Sequence, residues 1–507
     1  MNAITSPDPD LLARETLRLL GPAPDNWVPE HAGITHDVLV VGGGQSGTAY
    51  AFALRRAGIA RTTVIDNASG PAASAWRLRA RMQKLRTPKN LVGPELGLPA
   101  LSFQAWYEAR EGANAYAALD RIPRLAWADY VDWLRDFLAV PVRWSTHLLR
   151  IDPVTDGAVP HFRVTLQHGG EQCVETVRKI VLATGVSGGG APFVPPVLQA
   201  AVDAGLAAHT ACTIDFAALR GKSVAVVGAA ASAFDAAGVA LEAGARAVHL
   251  FARRDHIAAS PVARTRAYPG LYDHYHSLPD ALRWSQALRY RRAGSTPPSD
   301  ALDRVLRHPH FHLHLSAPWR SARVEGAQVV ADTGHAGSLP FDFVIAGTGY
   351  SSEPLQRPEL AALAPHIRRW RDQYTPPPDA RDDELAASPF LGAGLELQEK
   401  TPGAAPWLRH IHVHNPSGFA SVGVPLGDVP SMRRDIPAAV ARIGHDLLHA
   451  DLALHQARID ADVAPDFGAE RYAAALGQGG GTSPAHNRPA AQVPEVAQVP
   501  RQSATAP

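Results

Sequence analysis

Three closely spaced glycines have the arrangement of a phosphate-binding turn. Gly42, Gly44 and Gly47 fit the pattern G-x-G-x-x-G, with Gln45 and Ser46 between the last two. In this pattern the first glycine makes a tight turn, the second lets a pyrophosphate approach the backbone, and the third lets a helix pack on a strand. These residue types at this spacing predict the binding of a dinucleotide.

The flanking residues supply the elements that must position such a turn. Residues 38–41 are apolar and mostly β-branched, as in a buried strand of a parallel sheet, and a helical pattern then continues to Gly58. The next predicted strand, 62–65, ends in Asp66, where an acid would hydrogen-bond a ribose hydroxyl. Strand, turn, helix, strand and acid together predict one complete nucleotide unit.

A second nucleotide unit is predicted in the middle of the chain. Residues 223–227 have the pattern of another buried strand, and a weakened fingerprint follows at Gly228, Ala230, Ser232 and Ala233. Alanine is tolerated at the third position of the motif, whereas alanine at the second position costs some backbone approach.

Two arginines stand where the first unit has its acid. Arg253 and Arg254 follow the strand predicted at 247–251. Guanidinium groups at this place suit a ribose 2′-phosphate, which favours NADPH over NADH; two surface arginines without this role are the alternative. With NADPH in the second unit, FAD is the natural occupant of the first, and hydride would pass from nicotinamide to flavin.

Two further apolar strands end in glycine-containing turns, at residues 183–185 and 347–349, where the backbone could come close to a ligand. A glycine-rich loop at 418–428, placed before a helix predicted from about 431, can hold the polar edge of a ring or its ribityl chain. The cofactor contacts predicted at these places are Ala183, Thr184, Gly185, Gly347, Thr348, Gly349 and Asp428.

Two other patterns have structural explanations. Aromatic residues recur at helical spacing from Trp127 to Phe137 and are expected to lie mostly in the core. Alternating histidines would share one face of a strand, but no acid or cysteine accompanies them, so no metal site is predicted. These histidines are His308, His310, His312 and His314.

Composition excludes several classes of protein. The 507 residues carry a formal net charge of +1, which gives no reason to expect nucleic acid or an anionic membrane as a partner. Cys173 and Cys212 form no C-x-x-C pair, the N-terminus lacks a signal-peptide pattern, and no stretch is long and apolar enough to span a membrane. A cytoplasmic protein is expected, and its oligomeric state is left open.

The fold predicted from these patterns is α/β, with two Rossmann-like dinucleotide-binding domains. The NADPH domain is inserted into the FAD domain. The predicted limits are 1–35 for an N-terminal extension with a helix at 11–20, 36–215 and 341–475 for the FAD domain, 216–340 for the NADPH domain, and 476–507 for a disordered tail.

These motifs resemble those of the flavin-containing monooxygenases and, more broadly, the class B flavoprotein monooxygenases. The resemblance covers roughly residues 36–450. The family's linker signature, F-x-G-x-x-x-H-x-x-x-(Y/F/W), is matched at Gly205 and His209 but not at Asp203 and Thr213. The missing aromatic residue at position 213 weakens in particular the hypothesis that the protein is a Baeyer–Villiger monooxygenase.

The resemblance implies a mechanism and a site. NADPH would reduce FAD, the reduced flavin would capture O₂ as a C4a-(hydro)peroxide, and that species would oxygenate a small nucleophile such as an amine or a sulfide. Asn90 is the candidate at the reacting edge of the flavin. Arg86 and Thr87, in a basic segment at 76–89 with six cations in fourteen residues, are further candidates for cofactor contacts, although a solvated helix face also explains such a segment.

Three other functions stay open at this point. A disulfide reductase is disfavoured by the absent C-x-x-C motif. An NADPH-dependent flavin reductase or oxidase that releases peroxide is the main rival, and Gly427-Asp428 resembles the flavin contact of that group. A non-catalytic nucleotide sensor is the rival from another class, and the weakened second fingerprint motivates it.

Overall fold

The structure, a computed structural model, describes residues 8–157, 159–334 and 337–476. It divides into two units, Met1–Leu452 and Ala453–Pro507. The predicted disordered tail lies, from residue 477 onward, outside the described residues. The sheets and the predicted sites described below belong to the first unit.

The strands alternate with helices along most of the chain. The strands are β1 (His36–Val41), β2 (Thr62–Ile65), β3 (Val142–Arg143), β4 (Thr146–Val154), β5 (His161–His168), β6 (Glu171–Leu182), β7 (Ala207–His209), β8 (Ser223–Val227), β9 (Ala247–Phe251), β10 (Phe311–His314), β11 (Ser321–Glu325), β12 (Gln328–Asp332), β13 (Ser338–Phe341), β14 (Phe343–Ala346) and β15 (Ile411–Val413).

Helices cover the sheets and connect the parallel strands. The α-helices are α1 (Pro9–Leu20), α2 (Gln45–Arg56), α3 (Ala75–Leu78), α4 (Phe103–Glu111), α5 (Ala113–Ala118), α6 (Arg124–Phe137), α7 (Gln199–Asp203), α8 (Ala231–Glu242), α9 (Pro269–His274), α10 (Asp280–Ala293), α11 (Ser299–Leu306), α12 (Trp370–Gln373), α13 (Asp383–Ala387), α14 (Phe419–Val422), α15 (Val429–Ala450) and α16 (Leu452–Ile459). The helix predicted at 11–20 is confirmed as α1.

The first sheet has seven strands and carries the first predicted nucleotide unit. Its order is β3-β2-β1-β6-β5-β4, and β15 also pairs with β6. Strands β1, β2, β3, β6 and β15 are parallel neighbours, whereas β4 and β5 form an antiparallel hairpin on β6. Because β1 lies between parallel neighbours, its residues Val38, Leu39 and Val40 are fully buried, as their apolar run predicts.

The second sheet carries the second predicted unit and is parallel throughout. Its order is β10-β9-β8-β14-β7, and a separate antiparallel sheet is formed by β11, β12 and β13. Strands β7 and β14 lie outside the limits predicted for the NADPH domain, 216–340, yet they complete its sheet. The reason is that β14 pairs with β8 on one side and with β7 on the other, so segments before and after the predicted insertion complete the sheet. The domain limits themselves stay predictions.

The alternating histidines do not all lie on a strand. His308 and His310 belong to a turn after α11, in which the His308 amide donates to Val305 O and the Phe311 amide to His308 O. His312 and His314 lie on β10 beside His249 of β9, whose Nδ1 is 3.0 Å from His314 Nε2. The described residues contain no group of three metal-binding side chains.

Asp37, at the start of β1, is a buried acid without a hydrogen-bond partner on either carboxylate oxygen. Burial raises the pKa of this carboxyl from its ordinary 3.8 to about 6, and the nearby Arg61 and Arg178 only partly oppose the rise. The folded state therefore binds the Asp37 proton more tightly than the unfolded chain does. The stability that comes from this tighter binding is fully present below pH 3.8 and is lost as the pH rises through about 6.

We expect Asp37→Asn to remove this loss, because an amide does not ionise. Between pH 4 and pH 7.5, the free energy of unfolding of Asp37→Asn should fall by up to about 3 kcal/mol less than that of the unsubstituted protein. Urea unfolding at the two pH values measures the difference, with the exposed Asp203→Asn as a control. An identical pH dependence in Asp37→Asn and the parent protein would contradict this interpretation.

Candidate cofactor-binding and active site

The turn between β1 and α2 has a backbone geometry compatible with the roles predicted for its three glycines. Gly42 has a φ of +112°, and a Cβ there would lie 2.2 Å from Ala183 O. A Cβ on Gly47 would lie 1.8 Å from Gly42 O, so the start of α2 packs directly against the turn. A Cβ on Gly44 would have no atom within 4 Å, which leaves open space where a pyrophosphate would approach. The backbone thus fits a dinucleotide.

Asp66 fastens this turn as well as ending β2. One carboxylate oxygen accepts a hydrogen bond from the Gly43 amide at 2.7 Å, and the other accepts from the Ala68 amide at 2.8 Å. Each carboxylate oxygen has a further lone pair, and the side chain is half-buried, so contact with a ribose hydroxyl is compatible with both bonds.

Gln45 connects the turn with two distant segments of the chain. Its Oε1 accepts a hydrogen bond from Trp127 Nε1 of α6 at 2.8 Å, and its Nε2 donates to Gly427 O at 2.7 Å. Ser46 is buried within α2. The glycine turn, the aromatic helix α6 and the Gly427-Asp428 loop therefore meet at one place.

The end of β6 forms the other side of this place. Ala183 packs against Gly42, and Gly185 has a φ of +70°. Thr184 Oγ1 accepts a hydrogen bond from Asn415 Nδ2 at 3.2 Å, which joins the end of β6 to the residues that follow β15. The predicted contacts of the first unit and the 183–185 turn thus lie together in space.

Asp428 lies at the N-terminus of α15. Asp428 is exposed, but desolvation by the surrounding protein raises the pKa of its carboxyl to about 6, while the Arg86 charge acts in the opposite direction. Ser431 Oγ donates to Asp428 O at 2.8 Å, so the loop conformation is fixed.

The turn of the second unit has the same backbone geometry despite its alanines. Gly228 has a φ of +119°, and a Cβ there would lie 2.2 Å from Gly347 O. The Ala233 methyl is accommodated because the facing residue is Gly347, where a Cβ would lie 2.7 Å from Ala233 Cβ. Ala230 is the N-cap residue of α8, and Ser232 is exposed in its first turn. The second fingerprint is therefore compensated rather than lost.

The two arginines after β9 differ in their surroundings. Arg254 is half-buried, and its Nη1 donates to Ala293 O at the end of α10 at 3.0 Å. Arg253 is exposed and makes no hydrogen bond or ion pair within the described part of the chain. Arg253 is therefore the guanidinium that can reach a ribose phosphate.

The turn after β14 lies at the carboxyl end of this strand, beside the second fingerprint. The Gly347 amide donates to Val227 O at 2.8 Å, and the Thr348 hydroxyl donates to Phe193 O. Gly349 has a φ of +84°, and Tyr350 beyond it packs edge-on against His209, with ring centroids 5.3 Å apart. His209, the matched residue of the linker signature, thus joins β7 to this turn.

Residues 79–90 contact both nucleotide units. We call them the flavin-edge loop, after the cofactor contact predicted for them. Arg86 forms an ion pair with Asp235 of α8 at 2.7 Å and is therefore engaged by protein. Lys89 donates to three carbonyl oxygens, those of Tyr116, Ala117 and Leu119. Its charge is also used within the protein.

A cavity of about 230 Å³ lies beside the flavin-edge loop. Its walls include Thr87 and Asn90 from that loop, Trp127 from α6, and Val429, the first residue of α15. Glu95, also in the wall, is buried and accepts hydrogen bonds from the Gly93 amide; burial raises the pKa of this carboxyl. The cavity thus adjoins the place where the glycine turn, α6 and the Gly427-Asp428 loop meet.

Comparison with known proteins decides the family. A family profile described as L-lysine 6-monooxygenase/L-ornithine 5-monooxygenase matches residues 102–302. The FAD-dependent urate hydroxylase of Xanthomonas campestris pv. campestris is 37% identical over 430 residues, which cover 85% of this chain and 89% of that protein. The chain belongs to the FAD-dependent monooxygenases. The expected resemblance is confirmed, and the protein is an oxidoreductase.

Solved structures share the fold of this monooxygenase. Ornithine hydroxylase PvdA from Pseudomonas aeruginosa has a TM-score of 0.62 and 18% identity, with 81% of this chain and 99% of that chain covered. L-lysine 6-monooxygenase from Pseudomonas syringae also has a TM-score of 0.62 and 18% identity, with coverages of 82% and 99%. The α/β fold predicted from the sequence is confirmed.

Some residues of this monooxygenase that shape the site had no sequence signal of their own. Asp235 is one acid within an apolar helix pattern, and Glu95 is one acid in an irregular loop. Trp127 belongs to an aromatic pattern that predicts core, and it is indeed buried, but its indole also binds Gln45.

No α-helix in the described residues has both the length and the apolar character of a membrane span.

Proposed function

We propose that this protein is an NADPH-dependent FAD monooxygenase that oxygenates a small, nucleophilic, planar heterocycle, with urate as the first candidate. The observation that carries the proposal is the 37% identity to a urate hydroxylase over most of both chains. Urate is an electron-rich anion at neutral pH, and it therefore belongs to the nucleophilic substrates expected from the sequence.

The proposed cofactor contacts follow from the geometry of the two turns. FAD would lie along Gly42, Gly44 and Gly47, with its ribose near Asp66 and its ring toward the Gly427-Asp428 loop. NADPH would lie along Gly228 and Ala230, with its 2′-phosphate at Arg253. Bound FAD supplies the oxygen chemistry, and the protein's task is to orient both rings and to exclude water.

The cavity beside the flavin-edge loop suits a small planar substrate. Phe103 and Trp127 offer aromatic faces, while Asn90 and Gln104 offer amide donors and acceptors. Glu95 is buried in the cavity wall, where its carboxylate accepts hydrogen bonds from the Gly93 amide and the Tyr130 hydroxyl. We propose Asn90 as a substrate-orienting residue at this cavity.

N-oxygenation of an amine is the second candidate function. The family profile for lysine and ornithine monooxygenases matches residues 102–302, which include α4 and α6 beside the cavity. S-oxygenation and Baeyer–Villiger oxidation are further variants of the same chemistry, and release of peroxide without oxygen insertion is the rival outcome. The cytoplasmic location stays a prediction.

Substrate-dependent consumption of NADPH distinguishes these candidates. We expect urate to accelerate NADPH oxidation by the holoenzyme at least tenfold and to be converted to a hydroxylated product seen by mass spectrometry. L-Ornithine and L-lysine are expected to leave the rate within about twofold of its basal value, because Glu95, the acid in the cavity wall, is buried and its carboxylate is already engaged by the Gly93 amide. Stimulation by the amines and not by urate would assign N-hydroxylation instead.

A further inference from the structure

The backbone of the flavin-edge loop is bound to the first nucleotide unit. The Leu85 amide donates to Ile122 O at 2.8 Å, and Arg121 Nη1 donates to Arg86 O at 2.6 Å. Arg124, at the start of α6, donates to Met82 O at 3.0 Å. The backbone on either side of the Arg86 side chain is therefore fixed relative to the start of α6 and the residues just before it.

Within the described residues, two side chains of this loop hydrogen-bond to the second nucleotide unit, and one of them, Arg86, forms an ion pair there. Arg81 donates to the carbonyl oxygens of Thr210 and Cys212, which are neutral acceptors. Arg86 Nη2 lies 2.7 Å from Asp235 Oδ2 of α8, the helix that begins at the second fingerprint. This ion pair joins the flavin-edge loop to the helix expected to bind the NADPH pyrophosphate.

Asp235 depends on this partner. Its side chain is only 6% exposed, whereas that of Arg86 is 40% exposed. Burial raises the pKa of Asp235, and Arg86 and Arg304 oppose the rise, while Asp300 adds to it. A buried carboxylate that loses its cation is strongly destabilised, so α8 has its lowest energy where Arg86 can reach Asp235.

We propose that the Arg86–Asp235 ion pair is a positioning contact that sets helix α8 against the flavin-edge loop. Arg86 is thereby a positioning residue for hydride transfer rather than a phosphate ligand. The inference rests on the proposed FAD and NADPH sites and is independent of the substrate. A shift of the nicotinamide relative to the flavin by about 1 Å can cost 10²-fold in rate, so the contact has a measurable consequence.

The test compares Arg86→Gln, Asp235→Asn and the double variant as holoenzymes, without substrate and without oxygen. Each single change is expected to lower the limiting rate of flavin reduction by NADPH at least tenfold and to leave the dissociation constant of NADP⁺ within threefold. The double variant should be no more than threefold slower than either single variant, because both remove one contact. Arg291→Gln, which breaks an Arg291–Asp382 pair of the same 40% arginine exposure elsewhere in the fold, should stay within twofold of the parent.

Two results would overturn the proposal. They are independent, multiplicative rate losses in the double variant and an unchanged reduction rate in Arg86→Gln. Since no substrate is added, failure of urate hydroxylation would leave all these outcomes interpretable.

Discussion

Gly47→Ala is expected to destabilise the apoprotein and abolish FAD binding. The added methyl would lie 1.8 Å from Gly42 O, a backbone atom that can give way only if the turn opens. Overpacking of this kind costs about 3 kcal/mol or more, which exceeds the gain of up to about 1 kcal/mol from replacing glycine by alanine in a helix. Urea unfolding of the apoprotein and the flavin absorbance of the purified protein measure the two effects.

Gly44→Ala is the matched control at the neighbouring position. Gly44 has a φ of −76°, which alanine adopts freely, and the added methyl would touch nothing within 4 Å. We expect the apoprotein to keep its stability within about 0.5 kcal/mol. The dissociation constant of FAD should nevertheless rise at least tenfold, because the methyl projects into the space for the pyrophosphate. Normal FAD affinity in Gly44→Ala would place the dinucleotide elsewhere.

Arg253→Ala is expected to raise the KM for NADPH by about 10- to 100-fold and to leave the KM for NADH within about twofold. The loss corresponds to one charge-assisted contact with a phosphate, which NADH lacks. Arg254→Ala is the control, because its guanidinium holds Ala293 O. This second variant should lower the Tm and leave the ratio of the two KM values within threefold. Equal effects of Arg253→Ala on both cofactors would remove the 2′-phosphate assignment.

The parts of the site that the sequence predicts well are those set by local backbone geometry. Gly42 and Gly47 are required by a turn and by a close approach within six residues, and both constraints are visible in the spacing. The apolar run of β1 similarly predicts a central parallel strand, and the structure buries it on both sides.

The parts that the sequence could not predict depend on contacts between distant residues. Ala233 looks like a weakened motif until Gly347, more than one hundred residues later, is seen to leave room for its methyl. Arg86 is one of six cations in a basic segment, and only the fold brings it to Asp235, 149 residues away. Adjacent residues after a strand point in different directions, but the pattern alone does not tell which of Arg253 and Arg254 is exposed and which is bound to Ala293 O.

The most direct test of the central claim, that two dinucleotide units serve one oxygen-inserting site, is a turnover experiment under ¹⁸O₂. With NADPH and urate, we expect one atom of ¹⁸O in each hydroxylated product molecule and one NADPH consumed per product. Little hydrogen peroxide should accumulate. Consumption of NADPH with stoichiometric hydrogen peroxide and no labelled product, with urate and with each amine, would contradict the account and assign an oxidase.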